Sequence, residues 1–157
     1  MKLYHGSNIL ITQIELNKSK PNKDFGKGFY LSDTYQQALE MATFKSLQLG
    51  GEPIVSEFDF DEKGLSRAEL KTKRFLEYSE EWVDFIIDNR NGLKEHDFDF
   101  VYGPIADDKV GRQLRLFNDK DITKQQLIER LKYFKGISFQ YFFGTEKAIK
   151  LLLKSNG

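Results

Sequence analysis

Three short segments, far apart in the chain, carry the residue types best suited to chemistry. They are Leu3-Tyr4-His5-Gly6-Ser7, Gly26-Lys27-Gly28-Phe29-Tyr30-Leu31-Ser32 and Phe139-Gln140-Tyr141-Phe142-Phe143. Each is a short β-type run with one polar or aromatic group fit to hold a nicotinamide ring or its ribose. His5 is either a hydrogen-bonded structural histidine or a donor to a ribose hydroxyl. Gly6 and Ser7 allow a backbone to approach an amide closely. Tyr30 either packs, as strand tyrosines do, or offers a ring for stacking on a nicotinamide. Gly26 and Gly28, just before it, let the backbone approach a ligand or a second strand. Gln140, set among aromatics, either faces solvent or is placed to hydrogen-bond a polar group.

Other chemistries find less support. Asp107-Asp108 suits a hard divalent cation, but no further acidic ligand stands at loop spacing, and two carboxylates also suit a helix N-terminus. No metal site is expected. With His5 and His96 the only histidines, a histidine-based zinc enzyme is disfavoured. Gly26-Lys27-Gly28 lacks the third glycine and the strand-then-helix setting of a dinucleotide fingerprint, and neither a phosphate-binding P-loop nor a Gly-x-Ser-x-Gly elbow is present. Lys18, Lys20, Lys23 and Lys27 read as a solvated loop; the alternative is a groove for nucleic acid. Lys124, Arg130, Lys132 and Lys135 read as the wet face of a helix.

The chain has 157 residues, with 24 basic and 24 acidic side chains and no net charge. That balance argues against a surface that binds nucleic acid over its whole extent. The length suits one domain, residues 1–157, with a real core, and no Pro/Gly/Ser-rich linker divides it. Cysteine is absent, which removes disulfides and thiolate metal sites. No apolar run reaches the length of a membrane span, and the first residues read as a strand rather than a signal peptide. A cytoplasmic protein without membrane contact is expected. The 14 Phe and 7 Tyr fit aromatic-rich strands, serving either core or interface.

The elements that must position the three segments follow from periodicity and punctuation. Strands are expected at 2–5, 29–31, 53–60, 97–102 and 138–143, with Ile9 to Ile14 as a hairpin edge and Gly103-Pro104 ending the fourth. Helices are expected over 34–47, capped by Asp33 with Gln36 in a capping box, and after Ser79 with Trp82, Phe85 and Ile86 inward. A helix over 123–135 would turn Leu127, Ile128, Leu131 and Phe134 inward, and a last one would run over 146–153. Residues 61–74 give no clear pattern. Short strands interleaved with helices predict an α+β fold.

Taken together, the segments resemble the ADP-ribosyltransferase superfamily, in its histidine-tyrosine branch, and within it a bacterial family of uncharacterised, toxin-type domains. The resemblance runs over nearly the whole chain. It includes Glu81-Trp82-Val83-Asp84-Phe85-Ile86 with Asn89-Arg90 after it, Asp99-Phe100-Val101-Tyr102-Gly103-Pro104-Ile105-Ala106-Asp107-Asp108, and Gln140-Tyr141-Phe142-Phe143-Gly144-Thr145-Glu146-Lys147-Ala148. It implies two small, mostly antiparallel sheets forming a cleft for NAD+, used as co-substrate. It also implies roles: His5 on a ribose, the Gly6 backbone on the carboxamide, Tyr30 stacked on the nicotinamide and Tyr35 as the second aromatic. Ser7, Gly28 and Ser32 would complete the cofactor-binding set. The family's usual glutamate falls on Gln140, which is neutral, is no general base and offers no charge to a developing cation. The implied activity is transfer of a single ADP-ribose to a macromolecular acceptor, protein or nucleic acid, with a small antitoxin as a possible partner. Glu146 or the Asp107-Asp108 pair are candidates for the missing carboxylate. The alternative is a module of the same fold that holds NAD+ or a nucleotide without turnover.

Overall fold

Apolar residues at every second position build strands, and strands of this length need a second layer to bury them. The computed structural model describes residues 1–67 and 69–155. In chain order its elements are β1 (Lys2–Ser7), β2 (Phe29–Leu31), α1 (Tyr35–Leu49), β3 (Ile54–Phe60), α2 (Gly64–Arg67), β4 (Thr72–Arg74), α3 (Glu80–Arg90), β5 (Phe100–Pro104), α4 (Asp108–Asn118), α5 (Lys124–Leu131), β6 (Phe139–Phe143), α6 (Glu146–Ile149) and β7 (Leu152–Lys154), with a 3-10 turn at Leu16–Lys18. One sheet has the order β1-β3-β7 and the other β2-β6-β5-β4. Pairing is antiparallel throughout except between β4 and β5. The chain is α+β with two mostly antiparallel sheets.

The four-stranded sheet is apolar on both faces. One face carries Phe29, Leu31, Phe100, Tyr141 and Phe143 against Leu3, Phe58 and Phe60 of the three-stranded sheet. Rings there meet edge to face: Phe60 lies 5.2 Å from Phe143, and Phe100 lies 5.3 Å from Phe143. The other face carries Val101 and Phe142 beneath α3, α4 and α5, which contribute Trp82, Val83, Ile86, Val110, Leu114, Leu127 and Leu131. Much of the aromatic excess is thus core, while Tyr35, Phe44 and Tyr133 stand exposed. Trp82 is fully buried, and its indole N–H donates to the Pro104 carbonyl at 3.2 Å.

Several expectations shift. Ile9 to Ile14 forms no strand; Ile11 and Ile14 pack on the core from a loop, while Ile9 and Leu10 are exposed. The cap of α1 is Thr34, not Asp33: Ser32 Oγ accepts from the Thr34 N–H, and Thr34 Oγ1 accepts from the Gln37 N–H. Gly103 and Pro104 lie inside β5, opposite Gln140 and Phe139, rather than after it. Proline is tolerated at that strand end because it gives up one ladder bond at most. Helix α5 carries the capping box of Thr123 and Gln126 but stops at Leu131. The last helix ends at Ile149, and the chain re-enters the sheet as β7, with Leu152 opposite Phe60.

The unclear stretch 61–74 holds α2 and an edge strand, β4. Its side chains, Thr72, Lys73 and Arg74, lack apolar alternation because an edge is protected by charge. Arg74 lies over the rings of Phe100 and Tyr102, and Lys73 pairs with Glu81. Helix α1 sits on β1 through Gly6. A Cβ at Gly6 would lie 1.9 Å from the Ala38 carbonyl oxygen and 2.8 Å from the Ala42 nitrogen. Gly6→Ala is therefore expected to destabilise the fold by about 3 kcal/mol, the upper part of the range for overpacking, read from urea unfolding. An unchanged midpoint would contradict this seating of the helix.

Candidate functional site

Among the described residues the edges of the two sheets are joined by one backbone bridge. Tyr4 of β1 and Ser32, just past β2, exchange both backbone hydrogen bonds at 2.8 Å, an isolated antiparallel bridge. Antiparallel alternation then turns the Gly6 N–H and C=O toward β2, and the Tyr30 N–H and C=O toward β1. Gly6 and Tyr30 do not pair. The Gly6 carbonyl accepts instead from Lys45 Nζ of α1 at 3.1 Å, and the Tyr30 carbonyl accepts from His5 Nδ1 at 2.6 Å. Past the bridge the two edges stop pairing, and this break between Gly6 and Tyr30 is a notch in the hydrogen-bond ladder.

The bond to Tyr30 sets the chemistry of His5. A carbonyl only accepts, so Nδ1 carries the proton and Nε2 keeps its lone pair. The ring stacks on Phe29 with centroids 4.2 Å apart. Burial, helped by the positive charges of Lys45 and Lys23 and opposed by the Tyr30 bond, lowers the imidazole to about 4. At neutral pH His5 is an uncharged acceptor. It can take a hydroxyl hydrogen bond at Nε2, the reverse of the donor role expected from sequence.

Tyr30 is held more firmly than a free stacking ring would be. Its hydroxyl donates to the Gly26 carbonyl at 2.5 Å and accepts from the Phe25 N–H at 3.0 Å. Its ring meets Phe142 at 5.1 Å, and Lys23 Nζ lies 5.2 Å from its centroid. Burial pushes the phenol well above its ordinary range. The loop before β2 is clamped from α3 as well. Asn89 donates to the Asp24 carbonyl, Arg90 pairs with Asp24 at 2.7 Å, and His96 Nε2 donates to the Phe25 carbonyl at 2.5 Å. The Phe98 N–H to His96 Nδ1 bond fixes that tautomer. Gly26, at φ 92°, sits under His96 and Asn89 where a side chain would be both strained and crowded.

Gln140 lies opposite Gly103 on β6, two residues from Phe142 and so on the same face as Phe142 and Tyr30. Continuing the β2–β6 register by one step places Ser32 beside it. Its Nε2 is buried without a hydrogen-bond partner, a donor left free inside the protein. Across the other sheet, Ser56 is the register partner of His5, and its Oγ is likewise buried and unpaired.

The remaining candidates divide. Ser7 is buried at the end of β1, where its Oγ accepts from the Ile9 N–H at 3.4 Å. Gly28 presses on Phe142, whose ring a Cβ would meet at 2.3 Å, and its N–H donates to Ser19 Oγ. Tyr35 stands exposed on α1 and meets Tyr4 edge-on at 5.8 Å, with no ring contact to Tyr30. Of the candidate carboxylates, Asp107 caps α4 by accepting from the Val110 N–H at 2.9 Å. Glu146 is exposed past the far end of β6, roughly 10 Å or more along the strand from Gln140. Among the described residues no cluster of three or more metal-ligating side chains forms, and no helix is long and apolar enough to cross a membrane.

Sequence reasoning missed Lys45, Asn89 and His96. Asn89 was detectable as the polar member of the Trp82, Ile86, Asn89 stripe, where an amide at a core position must bond something. Lys45 offered no such signal, since only the seating of α1 on Gly6 brings it to the notch.

The His5 assignment has a direct readout. Nitrogen-15 spectra should show one Nδ1-protonated tautomer that does not titrate between pH 5 and 8. A transition near 6.5 would contradict the bond to Tyr30. The unfolded chain binds the proton first, so this group lowers stability as pH falls from about 6.5 toward about 4.

No curated protein and no solved structure matches the chain. The family model described as "Protein of unknown function (DUF3990)" matches residues 1–153, a span that takes in β1, the clamped loop and β6. On that match the chain belongs to the DUF3990 family.

Proposed function

We propose that this chain is an ADP-ribosyltransferase-like domain that binds NAD+ and transfers one ADP-ribose to a macromolecular acceptor. The observation that carries the reading is the notch beyond the Tyr4–Ser32 bridge. A carboxamide has one acceptor and one donor edge, and the outward N–H and C=O of Gly6 are their complement. His5 Nε2 supplies an acceptor for a ribose hydroxyl, and the free amide of Gln140 a further donor beside Ser32 and Tyr30.

In the reaction the bond between the ribose C1′ and the nicotinamide nitrogen breaks. Nicotinamide leaves with the electron pair, positive charge develops on the ribose, and an acceptor nucleophile bonds to C1′ and gives up its proton to solvent. Gln140 orients the ribose but adds no negative charge, which favours transfer of one unit to a good nucleophile over elongation. The superfamily resemblance extends the proposal to a small neutralising protein as partner, and the cysteine-free sequence to a cytoplasmic setting.

A second reading, binding without turnover, is favoured by one fact: Asp107 is committed to its helix and Glu146 lies away, so neither of these two carboxylates replaces the missing one. NAD+ labelled on its adenylate side, incubated with the protein and a bacterial lysate, separates the two. Label in a protein, DNA or RNA fraction is expected. Intact NAD+ with no label in any fraction would leave the binding module. Gln140→Ala is expected to lower nicotinamide release about 100-fold, as for loss of one positioned hydrogen-bonding group, while the unfolding midpoint holds. Equal release from that variant would remove Gln140 from the reaction.

A further inference from the structure

The notch is flanked by positive charge without acidic partners. Lys45 Nζ rests on the Gly6 carbonyl, and Lys23 Nζ stands over the Tyr30 ring, so each ammonium group contacts one of the two residues that fail to pair. Lys20 adds its charge from the same loop, and its field reaches both. Neither Lys20, Lys23 nor Lys45 forms a salt bridge among the described residues, whereas neighbouring Lys18 pairs with Glu15 at 2.9 Å. The nearby carboxylate, Asp24, is held by Arg90. Like charges gathered without counter-ions oppose folding, and an anionic ligand relieves that cost.

We propose that Lys23 and Lys45, supported by Lys20, form a subsite for the diphosphate of the bound ligand, and that Lys45 leaves the Gly6 carbonyl for the phosphate when the ligand's carboxamide takes that carbonyl. The inference rests on the NAD+ reading of the notch for its second half only. In the free protein Lys45 satisfies a carbonyl that the carboxamide would otherwise find open. Its exchange onto a phosphate oxygen replaces a neutral acceptor with an anionic one, so that both partners of the bond are charged. Burial first, then Lys23 and Lys20, holds the Lys45 ammonium at about 8. The charged groups acting on it are Lys23 and Lys20 on the loop, with His5 neutral on β1 and Asp24 acting on Lys23. Diphosphate binding restores the proton, so affinity falls as pH rises through about 8.

Calorimetric titration with ADP-ribose, inorganic pyrophosphate and nicotinamide tests the idea. Lys23→Ala and Lys45→Met are each expected to weaken ADP-ribose about 10-fold or more, with Lys18→Ala unchanged. Lys45→Met is expected to bind nicotinamide more tightly, because the Gly6 carbonyl loses its competitor; loss of packing alone would not do this. Lys45→Arg should keep ADP-ribose affinity and reduce its fall above pH 8. ADP-ribose bound equally by all variants would overturn the subsite while leaving the notch reading intact. Lysine-dependent binding of pyrophosphate and ADP-ribose with no nicotinamide binding would support the subsite and remove the NAD+ reading.

Discussion

Two reciprocal hydrogen bonds between Tyr4 and Ser32 join the sheets, and the candidate site exists because that pairing stops after one bridge. Had β1 and β2 continued to pair, Gly6 and Tyr30 would have satisfied each other and left neither carbonyl for a side chain to take. Instead α1 presses on Gly6 from one side, and His5, stacked on Phe29, takes the Tyr30 carbonyl from the other. Each blocks the next rung. The same glycine that admits the helix thus keeps two edges apart, and the four-stranded sheet, packed with aromatics on both faces, holds the second edge in place.

Electrostatics follow from this geometry. Opening the edges exposes amides that water or a ligand must satisfy, and the fold answers with Lys45 and a neutral His5. The loop that carries Lys23 is held by Asn89, Arg90, His96 and the Tyr30 hydroxyl, so its charge is delivered at a fixed place. On the proposed reading, this positively flanked break in pairing and the unpaired Gln140 amide receive a polar, anionic ligand with a carboxamide.

What was legible in the sequence was legible for local reasons. Alternation exposed β3, short β-type runs exposed β1 and β6, and Ser79 announced α3 because its hydroxyl, followed by Glu80 and Glu81, fits a helix N-terminus. The edge strand β4 was silent because charge, not alternation, suits an edge. Strand β7 looked helical because Leu151 to Lys154 continues the apolar spacing of α6; what ends the helix is tertiary, the Asp61 N–H taking the Leu151 carbonyl. His5, Gly6, Tyr30 and Gln140 were picked out by type and neighbours. The shared face of Tyr30 and Gln140 needed the register between β2 and β6, and the reach of Lys45 needed the packing of α1.

The central claim is that the main-chain groups of Gly6 receive a carboxamide. The most direct measurement is a nitrogen-15 spectrum of the backbone amides during titration with nicotinamide. The Gly6 N–H is predicted to move progressively downfield as the carboxamide oxygen accepts from it, with smaller shifts at Tyr30 and Ser32. A Gly6 resonance that stays fixed at saturating nicotinamide would contradict the claim.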